Sequence, residues 1–104
     1  MNGKTYTLQY LPLFEQDLEE ARNYIANTLY NPVAALKLIN ETETALLKRL
    51  ANPTAFEPYH SSKDRKHIYY RINIRNYSAF YVVIGHVMEM RRFIYNKRDL
   101  AKLI

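Results

Sequence analysis

The chain has 104 residues, 48% of them apolar, which is enough for one domain with a single packed core. It has no cysteine, which excludes disulfides and thiolate metal sites, and no apolar run approaches the roughly 20 residues of a membrane span. The net charge of +5 is uneven, because residues 60–104 hold ten of the 15 Lys and Arg residues but three of the ten Asp and Glu residues. A cytoplasmic protein with a negatively charged partner is expected.

The first half of the chain predicts a strand followed by a helix. Residues 5–10 alternate in the period-2 manner of a strand, which Pro12 ends. A helix is predicted from Leu13 to about Leu29. Its apolar stripe consists of Phe14, Leu18, Ala21, Ile25 and Leu29. The acidic residues of this helix are interpreted as a solvated face.

A second helix is predicted to begin at Asn31 and Pro32, because Asn is a favourable N-cap and Pro is tolerated at the first helical position. It runs to about Ala51, and Asn52 and Pro53 end it. Only a few residues separate the two helices, which favours an antiparallel helical hairpin.

The second half predicts a loop over residues 53–66 and then three strands rich in β-branched and aromatic residues. The strands are predicted at Ile68–Ile74, Tyr77–Ile84 and Val87–Tyr95. Short turns at Arg75-Asn76 and Gly85-His86 make them an antiparallel meander. The tail, residues 97–104, is compatible with a short helix.

These elements predict one α+β domain over residues 1–104, in the order β-α-α-β-β-β. The helical hairpin would pack on one face of an antiparallel sheet. In the first meander strand Arg71 points away from Tyr70 and Ile72. We therefore expect Arg71 on the opposite face of the sheet, which this arrangement leaves open.

The candidate functional residues are basic and aromatic side chains of the second half. They are Tyr69, Arg71, Tyr77, Arg91, Arg92, Tyr95, Lys97 and Arg98. Arg and Lys can hold phosphates and Tyr can stack on an unpaired base, as in a site that grips or cuts single-stranded RNA without metal. The same surface would suit an acidic protein partner, which composition alone favours. No metal or cofactor is expected, because His60, His67 and His86 lack ligand spacing.

The whole chain resembles the RelE/ParE superfamily, the toxins of bacterial type II toxin–antitoxin pairs. The resemblance rests on the element order and on a series of short motifs. They are Asp17-Leu18, Tyr24-Ile25, Asn31-Pro32, Ala34-Ala35, Pro53, Tyr70-Arg71, Asn76-Tyr77-x-x-Phe80-Tyr81-x-Val83 and Ile94-Tyr95-x-x-Arg98-Asp99-Leu100. The resemblance implies a growth-arresting toxin, with a role in plasmid stabilisation, that a cognate antitoxin holds inactive. We expect the antitoxin to use an acidic binding segment.

Two branches of this superfamily have different targets. RelE-like members cleave mRNA on the ribosome, and that reading would make Arg71, Tyr95 and Arg98 catalytic. ParE-like members poison DNA gyrase, and that reading would leave these residues as contacts only, beside binding residues Tyr69, Tyr77, Arg91, Arg92 and Lys97. Ser78 stands where RelE-like toxins typically have an arginine, and Leu103-Ile104 where they tend to have a catalytic tyrosine. The resemblance therefore favours a toxin that inhibits DNA gyrase. The alternatives are a ribosome-dependent mRNA endonuclease and a non-toxic relic that only binds an antitoxin.

Overall fold

A computed structural model describes residues 5–60 and 66–104. The elements are β1 (Thr7–Tyr10), α1 (Pro12–Asn23), a π-helical segment (Tyr24–Thr28), α2 (Pro32–Leu50), β2 (Tyr70–Ile74), β3 (Tyr77–Ile84), β4 (Val87–Tyr95) and α3 (Leu100–Leu103). The predicted order is confirmed. Part of the predicted loop 53–66, residues 61–65, lies outside the described residues. No described helix is long and apolar enough to cross a membrane.

The sheet has four strands in the order β1-β4-β3-β2. The antiparallel meander of β2, β3 and β4 is confirmed, with Ile74 opposite Tyr77 and Ile84 opposite Val87. β1 lies parallel to β4, so the complete sheet is mixed rather than purely antiparallel. Parallel pairing is possible because the helical hairpin and two strands separate β1 from β4 along the chain.

The first helix ends differently from the prediction. Its α-helical part stops at Asn23, and a π-helical segment continues it to Thr28. The backbone N–H of Leu29 donates to the Tyr24 carbonyl and that of Asn31 to the Ile25 carbonyl, both at 3.0 Å. These hydrogen bonds span more residues than the bonds of an α-helix, and the helix ends with them. Tyr30 then adopts a positive φ of 54°, and this residue turns the chain into α2.

Replacing Tyr30 with glycine should raise the free energy of unfolding by up to about 1 kcal/mol, because left-handed backbone costs a non-glycine residue about that much. The Tyr30 side chain is 86% exposed, so little packing is lost. Urea denaturation measures the change. Leu36→Gly, at an exposed position inside α2, is the control and should lower stability by about 1 kcal/mol. A loss of stability in Tyr30→Gly would contradict the backbone argument.

The start of α2 is as predicted. Asn31 caps it, since its Oδ1 accepts the Ala34 N–H at 3.1 Å, and Pro32 is the first helical residue. Near its other end Arg49 donates to the hydroxyl of the fully buried Tyr81 at 2.9 Å. That hydroxyl donates to the Pro53 carbonyl at 2.7 Å, which joins α2 and the following loop to β3.

The main core lies between the helical hairpin and one face of the sheet, where Phe14, Leu38 and Leu46 pack against Tyr81 and Met90. The expectation that the opposite face is open was wrong in part. A second cluster covers some of that outer face, with Phe80, Ile94 and Ile104 buried beneath Tyr59, Tyr69 and α3. Because β3 and β4 carry apolar side chains on both faces, the outer face of the sheet must also be shielded from solvent.

Candidate functional site

A groove of about 640 Å³ lies between the helical hairpin and the end of β4, and we call it the hairpin groove. One wall comes from the two helices and the segment between them, and it is mostly apolar but includes the carboxylates of Asp17 and Glu20. Its residues include Ala21, Ile25, Leu29, Ala34 and Leu38. The opposite wall comes from the β2–β3 turn and the end of β4, including Tyr77, Tyr95 and Arg98. The groove is thus mostly apolar on one side, with two acidic residues, and aromatic and basic on the other.

Aromatic rings give the second wall a fixed shape. The Tyr77 ring stacks on Phe93 with centroids 5.0 Å apart and an interplanar angle of 6°. Tyr95 tilts against Tyr77 at 5.4 Å and is 36% exposed. Burial, followed by the neighbouring Tyr95 and Tyr24, raises the pKa of Tyr77 above its ordinary value. Tyr77 is therefore a neutral phenol at physiological pH and offers an apolar ring with a polar tip.

The cations at the groove differ in how they are paired. Arg75 binds Glu41 through two hydrogen bonds of 2.6 and 2.7 Å. Arg98 is exposed and makes no side-chain hydrogen bond or ion pair within the described part of the chain, and the same is true of Lys97. Arg98 can therefore meet an incoming anion without breaking an existing pair.

Asp17 is a structural residue that the sequence interpretation missed. It was placed on a solvated face, but it is 8% exposed and accepts hydrogen bonds from Arg92 Nε at 2.7 Å and Arg92 Nη2 at 3.2 Å. The Phe93 backbone N–H also donates to it, at 3.0 Å. The hydrogen bonds that Arg92 donates to Asp17 raise the pKa of Arg92. The missed signal is the spacing, because Asp17 lies three residues after Phe14 and four before Ala21, within the apolar stripe.

Three of the predicted binding residues lie elsewhere. Tyr69, Arg91 and Arg92 line a smaller depression of about 320 Å³, together with Leu11, Leu13 and the C-terminal residues. Arg91 pairs with Glu89 at 2.7 Å, and Arg92 pairs with Asp17. Both guanidinium groups are thus already neutralised within the protein, which makes this depression a poorer anion site than the end of the hairpin groove.

Arg71 lies on the outer face of the sheet, as predicted, with its guanidinium carbon 5.8 Å from the Phe80 ring centre. Its Nε donates to Ser78 Oγ at 2.8 Å and its Nη2 to Asn96 Oδ1 at 3.2 Å. Tyr95 and Arg98 line the hairpin groove, whereas Arg71 is not among the residues that line it. The structure therefore brings together two of the three candidate catalytic residues. Sequence reasoning gave Asn96 no role, since a turn asparagine carries no distinctive signal.

The comparisons with known proteins agree with this architecture. A family model described as ParE toxin of type II toxin-antitoxin system, parDE, matches residues 8–100. A chain of the chromosomal ParDE TA system from P. aeruginosa is similar in structure, with a TM-score of 0.66 and 17% identity over 88% of this chain and 96% of that chain. A chain of the E. coli DinJ-YafQ toxin-antitoxin complex has a TM-score of 0.57 and 13% identity over 88% and 92%. No curated protein sequence matches.

The two structures share the fold at identities too low to show more than that. The family match is more informative, because it runs from β1 to the first residue of α3 and includes both walls of the hairpin groove. The chain therefore belongs to the family of ParE toxins of type II toxin–antitoxin systems, and its partner is an antitoxin.

Proposed function

We propose that this toxin acts in the cytoplasm, where it arrests growth by inhibiting DNA gyrase until its antitoxin covers it. The family match over residues 8–100 carries the proposal, since ParE-like members of the superfamily act on gyrase. Arg98 and Lys97, which are exposed and have no side-chain partner among the described residues, lie next to Tyr95 and supply a basic and aromatic contact surface for that target.

The arrangement of the candidate catalytic residues supports gyrase over mRNA cleavage. Cutting through a 2′-hydroxyl requires a base, an acid and cationic stabilisation around one phosphate. Tyr95 and Arg98 share the hairpin groove, but Arg71 is engaged with Ser78 on the outer face of the sheet. An arginine at position 78, typical of RelE-like toxins, would place a second guanidinium at a fully buried position against Arg71.

The antitoxin segment that suits the hairpin groove is an amphipathic helix with acidic residues on one flank. Its apolar side would contact Ile25 and Leu29, and its carboxylates would approach Arg98. Because the cations are exposed, we expect the affinity to fall as salt rises. An affinity insensitive to salt would contradict the electrostatic part of this proposal.

The gyrase proposal is tested with purified toxin in a supercoiling assay, beside primer extension on reporter mRNA after brief expression in cells. We expect inhibited supercoiling and intact mRNA. Arg98→Ala should raise the inhibitory concentration about tenfold, which is 1.4 kcal/mol, because a central contact is removed. Lys48→Ala is the matched control, since Lys48 is exposed in the last turn of α2, and it should inhibit like wild type.

Two outcomes would overturn the proposal. Cuts at ribosomal positions with normal supercoiling would make the protein an endoribonuclease that uses Tyr95 and Arg98. Normal supercoiling, intact mRNA and unslowed growth on overexpression would make it a relic that only binds antitoxin.

A further inference from the structure

Arg71 is at the centre of a polar network that joins β2, β3 and the turn after β4. It donates to the hydroxyl of Ser78, which is fully buried, and to the side-chain oxygen of Asn96. Ser78 Oγ also lies 2.5 Å from Asn96 Oδ1 and 3.1 Å from Asn73 Oδ1. A hydroxyl has one proton, so Ser78 donates to one asparagine at a time while it accepts from Arg71.

Asn96 connects this network to the segment that contributes Tyr95 and Arg98 to the hairpin groove. Its backbone N–H donates to the Asn76 carbonyl at 2.8 Å, so Asn96 is held through both its backbone and its side chain. It directly follows Tyr95, and the Arg98 backbone N–H closes the turn on the Tyr95 carbonyl at 3.0 Å. Asn96 therefore lies inside the turn that carries Tyr95 and Arg98 to the groove.

We propose that Arg71 is a positioning residue, which holds Asn96 and thereby presents Tyr95 and Arg98 without contacting the target itself. The guanidinium suits this role, because its planar fork can reach two acceptors on different elements at once. It is partly buried beside the rings of Tyr59 and Phe80, with its central carbon 6.0 and 5.8 Å from their centres. The small Ser78 fits the same role as a buried acceptor.

The first experiment needs no target. Amide hydrogen exchange is measured by NMR on wild type and Arg71→Ala, at Asn96 and Arg98, whose N–H groups donate to the carbonyls of Asn76 and Tyr95. We expect exchange there to be at least tenfold faster in Arg71→Ala. Exchange at Val82, which is buried at the centre of the sheet, should stay within twofold. Unchanged exchange in the turn would overturn the proposal, and so would an equal increase at Val82, which would make Arg71 a residue of general stability.

The second experiment rests on the proposed function and measures gyrase inhibition by the Tyr95→Ala/Arg98→Ala variant with and without Arg71→Ala. If Arg71 acts only by presenting Tyr95 and Arg98, the triple variant should match the double variant within about twofold, because residues that act as a unit are not additive. Multiplied losses would mean that Arg71 contacts the target independently, which would overturn the proposal. If wild type does not inhibit gyrase, the proposed function fails, while the exchange experiment still decides the role of Arg71.

Discussion

Asp17→Ala should lower the free energy of unfolding by about 3 kcal/mol, because it leaves a partly buried guanidinium and a backbone N–H without their acceptor. Asp17 is 8% exposed on its side chain and Arg92 is 21% exposed. Removal of one partner from a buried ion pair costs roughly 3–5 kcal/mol of stability. Because the Arg92 side chain is partly exposed to solvent, we expect a cost at the lower end of this range. The Phe93 N–H adds to the loss.

Urea denaturation of purified variants measures this effect, and Glu19→Ala is the control. Glu19 pairs with Arg22 in the same helix, but both side chains are about half exposed, at 54% and 44%. That variant should unfold at the same urea concentration as wild type within error. Asp17→Asn should lie between the two, since an amide oxygen can still accept from Phe93. Equal stability of Asp17→Ala and Glu19→Ala would contradict the role assigned to Asp17.

The fold was largely predictable because most of its signals are local. Asn31 and Pro32 indicate the start of α2, and the short turns between the last three strands leave an antiparallel meander as the simplest arrangement. The parallel pairing of β1 with β4 was not predicted, since it joins Thr7 to Val87 across most of the chain. Such a contact leaves no pattern in either segment alone.

The site was predictable only in part for a related reason. Tyr95 and Arg98 are three residues apart, so one turn brings both to the hairpin groove. Whether Arg71 joins them depends on strand register and on which face each side chain takes. The structure pairs Arg71 with Phe80 along β3 and directs its guanidinium to Ser78 and Asn96. The partners of a guanidinium on a sheet face cannot be read from residue types.

The hairpin groove leads to the second large prediction, that Ala34→Trp should weaken antitoxin binding at least 100-fold. Ala34 lines the groove from the first turn of α2, and an indole there would occupy the space proposed for the antitoxin helix. A 100-fold loss corresponds to about 2.7 kcal/mol, within the range for the centre of an interface. The fold should tolerate the change, because Asn31 caps the Ala34 backbone N–H and not its side chain.

Leu47→Trp is the matched control for this substitution. Leu47 is 62% exposed on the same helix, thirteen residues and thus roughly 20 Å from Ala34, and it does not line the groove. Isothermal titration of each variant with the cognate antitoxin, together with its urea midpoint, separates lost binding from lost folding. The control should bind like wild type. If Ala34→Trp also bound like wild type, the antitoxin would have to cover another surface. The next place to look would be β2, which is the edge strand of the described sheet, because an extended segment can pair with an edge strand.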